Sequence, residues 1–174
     1  NYVESGLYNH VRDIFCLTIL LCKNRKRKTR ILDFGSNLLA LSNLNSKIKT
    51  NDYKFSIYDP FYSNHYKNIK KPFNIKFYTD NKILKLKKFD IINFGSSLQY
   101  LENISDLINS VNFKFVKSIL ITHTPITNLS SYRSSQDNHQ NLIQTVHSIK
   151  KIINFFNKFN FKLIFKSRNS DKFI

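Results

Sequence analysis

Arg30-Ile31-Leu32-Asp33-Phe34-Gly35 is an apolar run that closes on an acid and a glycine. A strand buried on both faces reads as such a run, and the glycine after it marks a tight loop. On its N-terminal side, Leu7, Val11, Ile14, Thr18 and Leu21 recur at intervals of three and four, which predicts a helix over 7–22. The basic run Lys23-Asn24-Arg25-Lys26-Arg27-Lys28 between the two reads as a solvated turn, with an anion patch or localisation tag as the sharper alternative. On the C-terminal side, Leu38, Leu41, Leu44 and Ile48 return to helical spacing.

The same unit recurs along the chain. Tyr53–Tyr58, Phe73–Tyr78, Phe89–Phe94, Phe115–Thr122 and Phe161–Phe165 read as further strands. Ile104, Leu107, Ile108 and Val111 form a helical stripe with Asn103 as its N-cap. Leu142, Val146, Ile149, Ile153 and Phe156 predict one long helix face. Residues 125–138, rich in Ser, Thr and Asn, read as a polar loop, placed to act as a lid. Strands alternating with helices, with apolar runs buried on both faces, imply an α/β sandwich around a mostly parallel sheet. Right-handed crossovers bring the C-terminal strand ends to one edge, where open α/β sheets bind ligands. Asp33, Asp59, Asp80 and Gly95 all fall at predicted C-terminal strand ends.

Composition bounds the rest. A length of 174 residues suits one domain, residues 1–174. With 41% hydrophobic and 22% charged residues, whole-length disorder is excluded. Cys16 and Cys22 are the only cysteines, too few for a disulfide framework and wrongly spaced for a redox pair. They read as reduced thiols of a cytoplasmic protein. Ile14–Leu21 is too short to span a bilayer, which takes ~20 apolar residues. His10, His65, His139 and His147 lack ligand spacing with cysteines or acids, so no metal is expected. No methionine occurs, so Asn1 reads as a position other than the original start, in a chain that is a fragment or has lost its beginning.

The formal charge of +17 suggests a polyanionic partner. Yet Lys, Asn, Ile and Phe abound together and Ala40 is the sole alanine, which points to drift toward AT-rich codons. The basic residues are spread over most segments, so nucleic acid is not the favoured partner.

Three stretches carry a family resemblance: Ile31-Leu32-Asp33-Phe34-Gly35-Ser36-Asn37, Tyr58-Asp59, and Phe89-Asp90-Ile91-Ile92-Asn93-Phe94-Gly95-Ser96-Ser97-Leu98-Gln99-Tyr100-Leu101-Glu102. Together they resemble a class I S-adenosylmethionine-dependent methyltransferase. More narrowly they resemble a little-characterised bacterial group with D-F-G-G and S-S-x-L-Q-Y-L type motifs. The resemblance covers about residues 30–125. It implies a Rossmann-like three-layer sandwich, S-adenosylmethionine as cofactor, and a seventh, antiparallel strand that is either missing beyond Ile174 or formed by the last few residues; a small-molecule or glycan-type methyl acceptor is the leading expectation. It implies that Asp33, Gly35, Ser36 and Asn37 line the methionine end, that Asp59 binds the ribose hydroxyls, and that Asp80 with Thr79 sits near the adenine. Phe94 and Gly95 would close around the cofactor.

A carboxylate suits vicinal hydroxyls because it accepts two hydrogen bonds, and a glycine admits close backbone approach. Gln99, Tyr100 and His123 are candidates for acceptor handling, His123 because its intrinsic pKa suits a general base. Ser36 and Leu39 stand where the family carries further glycines. On that departure rests the alternative of a catalytically inactive binding or scaffold domain. An RNA methyltransferase is a second alternative, resting on the charge. A nicotinamide-dependent dehydrogenase ranks lower, because Gly35-Ser36-Asn37-Leu38-Leu39-Ala40 holds one glycine of the three that a pyrophosphate loop needs.

Overall fold

A computed structural model describes residues 6–35, 49–60, 75–136 and 139–166 of the chain. Ser36, Asn37, the Leu38–Ile48 helical stripe and Leu39 lie outside these residues.

Helix α1 (Gly6–Leu21) leads through the basic turn into β1 (Thr29–Phe34). Strands β2 (Tyr53–Tyr58) and β3 (Ile75–Tyr78) follow, then the short α2 (Asn81–Lys85) and β4 (Ile91–Gly95). A 3-10 turn (Leu98–Tyr100) and a second one (Ile104–Asp106) run into α3 (Leu107–Ser110). Strand β5 (Ser118–Thr122) precedes β6 (Ile126–Thr127), β7 (Tyr132–Gln136), β8 (His139–Ser148) and α4 (Ile149–Asn157).

Strands β1 to β5 form one all-parallel sheet in the order β3-β2-β1-β4-β5. Chain order reverses between β1 and β4, which makes the crevice beyond their C-terminal ends the topological switch point. The apolar runs explain the arrangement, because side chains alternate between the two faces of each strand. Ile31, Phe55, Ile57, Ile91 and Leu120 pack on one side with Phe15, Cys16 and Ile19 of α1. Leu32, Phe34, Ile92 and Phe94 pack on the other with Leu84, Leu107 and the Ile152, Phe155 and Phe156 face of α4. Asn103 caps its turn as expected, accepting a hydrogen bond from the Ser105 N–H at 3.0 Å.

Three expectations need correction. Residues 139–148 are a strand, so the helix covers only the second half of the Leu142–Phe156 stripe. Ile143, Thr145 and Val146 are β-branched residues suited to a pleated surface, and Ser148 holds the extended backbone of an N-cap (φ −65°, ψ 127°). The polar stretch 125–138 contains strands β6 and β7, which flank β8 in a second, three-stranded sheet. Its backbone groups are satisfied by that pairing, although its side chains look like those of a loop. Finally, Phe161–Lys166 makes no strand, and Leu163, Ile164 and Phe165 are exposed there.

The basic turn connects α1 to β1, and two of its cations have structural duties. Lys23 pairs with Asp52 at 2.6 Å. Arg27 grips Asp90 with two bonds of 2.8 and 2.6 Å, and the Arg30 N–H and guanidinium complete the cage at 2.9 and 3.2 Å. Burial alone would raise the Asp90 carboxyl, but these donors outweigh it and hold it far below the usual carboxylate range.

Candidate functional site

The C-terminal ends of β1 and β4 build the candidate site. Asp33 and Asn93 are register partners on these adjacent strands. Both side chains are buried, and the Asn93 Nδ2 donates to Asp33 Oδ1 at 2.9 Å. Polar residues in a strand interior are costly to bury unless they are paired, and here each supports the other. A Cβ on Gly95 would lie 3.2 Å from Asn93 Nδ2 and 3.8 Å from both Asp33 Oδ1 and Thr122 Oγ1. Strands β1, β4 and β5 thus bring four residues to one small polar cluster.

Gly35 has a structural requirement of its own. Its φ of +75° is a left-handed conformation that favours glycine, and a Cβ there would sit 2.5 Å from the Ser97 Cβ. The close approach is to Ser97 of the β4 loop. The Gly35 N–H donates to the Tyr58 carbonyl at 2.7 Å, which ties the β1 loop to the end of β2.

Asp59 and Asp80 follow the neighbouring strands. The Asp59 N–H donates to the Tyr78 carbonyl at 3.0 Å. The Asp80 carboxylate caps α2 by accepting from the Lys82 N–H at 2.8 Å. The Tyr58 phenol is raised above its ordinary pKa by burial and by the charges of Asp80 and Asp59, so both acids act on one ring. Phe94 reaches the edge through its backbone only; its ring is wholly buried, 5.2 Å from Phe34 and 6.4 Å from Phe156.

Beyond β4 the chain turns sharply. Ser96 takes a φ of 56° and its N–H donates to the Thr122 carbonyl at 2.9 Å. His123, one residue further along β5, takes a φ of 51°. Left-handed backbone is uncommon outside glycine, and here it occurs on two adjacent strand ends. The His123 side chain is exposed, yet partial desolvation lowers its pKa.

Within the 3-10 turn, Gln99 is buried and Tyr100 is half exposed. The second sheet holds this turn at three points. His147, itself buried, meets the Leu98 carbonyl through Nε2 at 2.8 Å. The Tyr100 hydroxyl donates to Gln136 Oε1 at 3.2 Å, and Arg133 pairs with Glu102 at 2.9 Å. Of these only the His147 contact is buried; the ion pair is exposed and contributes little.

Three buried atoms at this edge, Asn93 Oδ1, Ser97 Oγ and Gln99 Oε1, find no hydrogen-bond partner among the described residues. Each such atom costs about 1–3 kcal/mol. Among the described residues no group of three His, Cys, Asp or Glu is placed to hold a metal ion, and no helix is long and apolar enough to cross a membrane.

Sequence reasoning missed Asn93, Ser97, Thr122 and His147 as members of the site. Asn93 did carry a signal, as a lone amide in the apolar strand Ile91-Ile92-Asn93-Phe94. His147 carried none, because its partner is a backbone carbonyl far away in the chain. No protein-family model, curated protein or solved structure matches this chain.

Proposed function

We propose that this edge binds S-adenosylmethionine and that the protein is a class I methyltransferase with a Rossmann-like fold, acting on a small-molecule or glycan-type acceptor. One observation carries the reading: the buried polar atoms Asn93 Oδ1, Ser97 Oγ and Gln99 Oε1 find no partner among the described residues, and all three belong to the end of β4 and the turn after it, beside the switch point of a parallel sheet. A ligand rich in ammonium and hydroxyl donors would supply the partners they lack, and S-adenosylmethionine carries both. Asp59 and Asp80 stand at the ends of the next two strands, where a ribose and an adenine would follow. The residues therefore fit the group.

The bound cofactor would supply an electrophilic methyl group. The chain's own task is alignment and exclusion of water. In this reading the Asp33–Asn93 pair orients the acceptor atoms toward the cofactor's ammonium, and Asp59 accepts from the ribose hydroxyls. His123 stands at the rim, and the desolvation that lowers its pKa favours the neutral ring, the form that can take a proton from an acceptor hydroxyl.

A thermal-shift series tests the reading. S-adenosylmethionine in large excess over its dissociation constant raises the melting temperature by ligand linkage. A nicotinamide dinucleotide leaves it unchanged. The reverse pattern overturns the assignment. A second reading, a binding or scaffold domain on the same fold, is favoured by Ser97: its Cβ accounts for Gly35 without any ligand. Cofactor binding without methyl transfer to any acceptor supports that alternative.

A further inference from the structure

The geometry points to the outer face of α1 and the basic turn after it as a docking surface for an anionic lipid membrane, independent of the function proposed above. Helix α1 buries Phe15, Cys16 and Ile19 against the sheet. Over its last two turns the opposite face carries leucines: Leu17, Leu20 and Leu21 are 55%, 51% and 76% exposed. Their spacing of three and four makes one stripe. A helix that rests on a sheet ordinarily turns a polar face to water.

The turn that follows is cationic. Lys23 and Arg27 are held by Asp52 and Asp90, but Arg25, Lys26 and Lys28 are exposed and form no ion pair among the described residues. The fold adds more charge at this edge. Arg27 reaches Asp90 at the start of β4, so exposed Lys87 and Lys88 lie just before the same strand. Exposed Lys114 and Lys117 precede β5, and Lys88 and Lys114 stand over the Phe115 ring at 4.5 and 5.9 Å. Charge that is spread along the sequence is thus gathered where the strands begin, while Asp33, Asp59 and Asp80 stand where strands end.

Cations alone would suit any polyanion. The leucine stripe selects among them, because an anionic bilayer offers phosphates to the lysines and acyl chains to the leucines. A nucleic acid backbone leaves the leucines in water. Docked this way, the protein would turn the opposite edge, with its candidate site, toward solvent.

Vesicle flotation of the full chain tests the proposal. Vesicles of phosphatidylcholine with a third of phosphatidylglycerol carry the protein at physiological salt, and pure phosphatidylcholine vesicles do not. Combining Leu17→Ser, Leu20→Ser and Leu21→Ser lowers partitioning at least tenfold, in a variant whose melt remains cooperative because these side chains are half or more exposed. Combining Arg25→Glu, Lys26→Glu and Lys28→Glu lowers it roughly a hundredfold. No binding to the anionic vesicles overturns the proposal. So does a serine variant that floats like the parent, which would leave charge as the sole attraction. Tight binding of an RNA oligonucleotide at the same salt, indifferent to the serine changes and without vesicle binding, assigns the surface to nucleic acid instead.

Discussion

Gly35 lies directly beneath Ser97, so close that a Cβ on the glycine would come within 2.5 Å of the serine's Cβ. The contact sets how closely the β1 loop can approach the β4 loop. Gly35→Ala combines a left-handed backbone with overpacking and is expected to lose about 2–4 kcal/mol of stability in denaturant unfolding. Adding Ser97→Gly removes the clash but not the backbone strain. The double variant therefore recovers part of the loss.

The Asp33–Asn93 bond predicts a pH signature. Asn93→Asp sets two carboxylates side by side in a buried place, and one of them must hold a proton. Its folded pKa then lies above the unfolded value, so stability is present at low pH and is lost as pH rises through the folded pKa. Urea midpoints should fall between pH 5 and pH 8 more steeply for this variant than for the parent. Asn93→Ala instead costs about 1–3 kcal/mol by leaving Asp33 Oδ1 without its amide donor.

Asp90 works in the other direction. Its folded pKa lies below the unfolded one, so its contribution is complete above the unfolded value of about 4 and fades as pH falls toward the folded value. Asp90→Asn should therefore lose about 1–3 kcal/mol at pH 7, with Arg27 and Arg30 still partly reached by water. Parent and variant should converge in stability in melts below pH 4.

His147 fastens the second sheet to the 3-10 turn. His147→Ala removes the partner of the Leu98 carbonyl and leaves a buried gap, at about 2–4 kcal/mol. Tyr100→Phe breaks an exposed bond and should change stability by no more than about 0.5 kcal/mol. Amide hydrogen exchange over residues 98–102 would separate the two, faster in the first variant and unchanged in the second.

The five parallel strands were legible because a strand buried on both faces must be apolar throughout, as in Ile31-Leu32 and Ile91-Ile92. The second sheet was not. Strand β7 exposes Tyr132, Arg133 and Ser135, so its sequence resembles a loop. Leu142, Val146 and Ile149 satisfy helical spacing although the chain reaches its helix only at Ile149. At the site, the strand-end acids were legible from position alone. Asn93, the partner of Asp33, comes from a strand 60 residues away, and only the parallel pairing of β1 with β4 joins the two.

S-adenosylmethionine is the ligand we propose for the β1–β4 edge. Calorimetric titration of the folded protein tests it most directly, with Asp59→Ala alongside. Micromolar binding by the parent, weakened at least tenfold in the variant, is the predicted result. No heat of binding at millimolar cofactor, from protein that melts cooperatively, would contradict it.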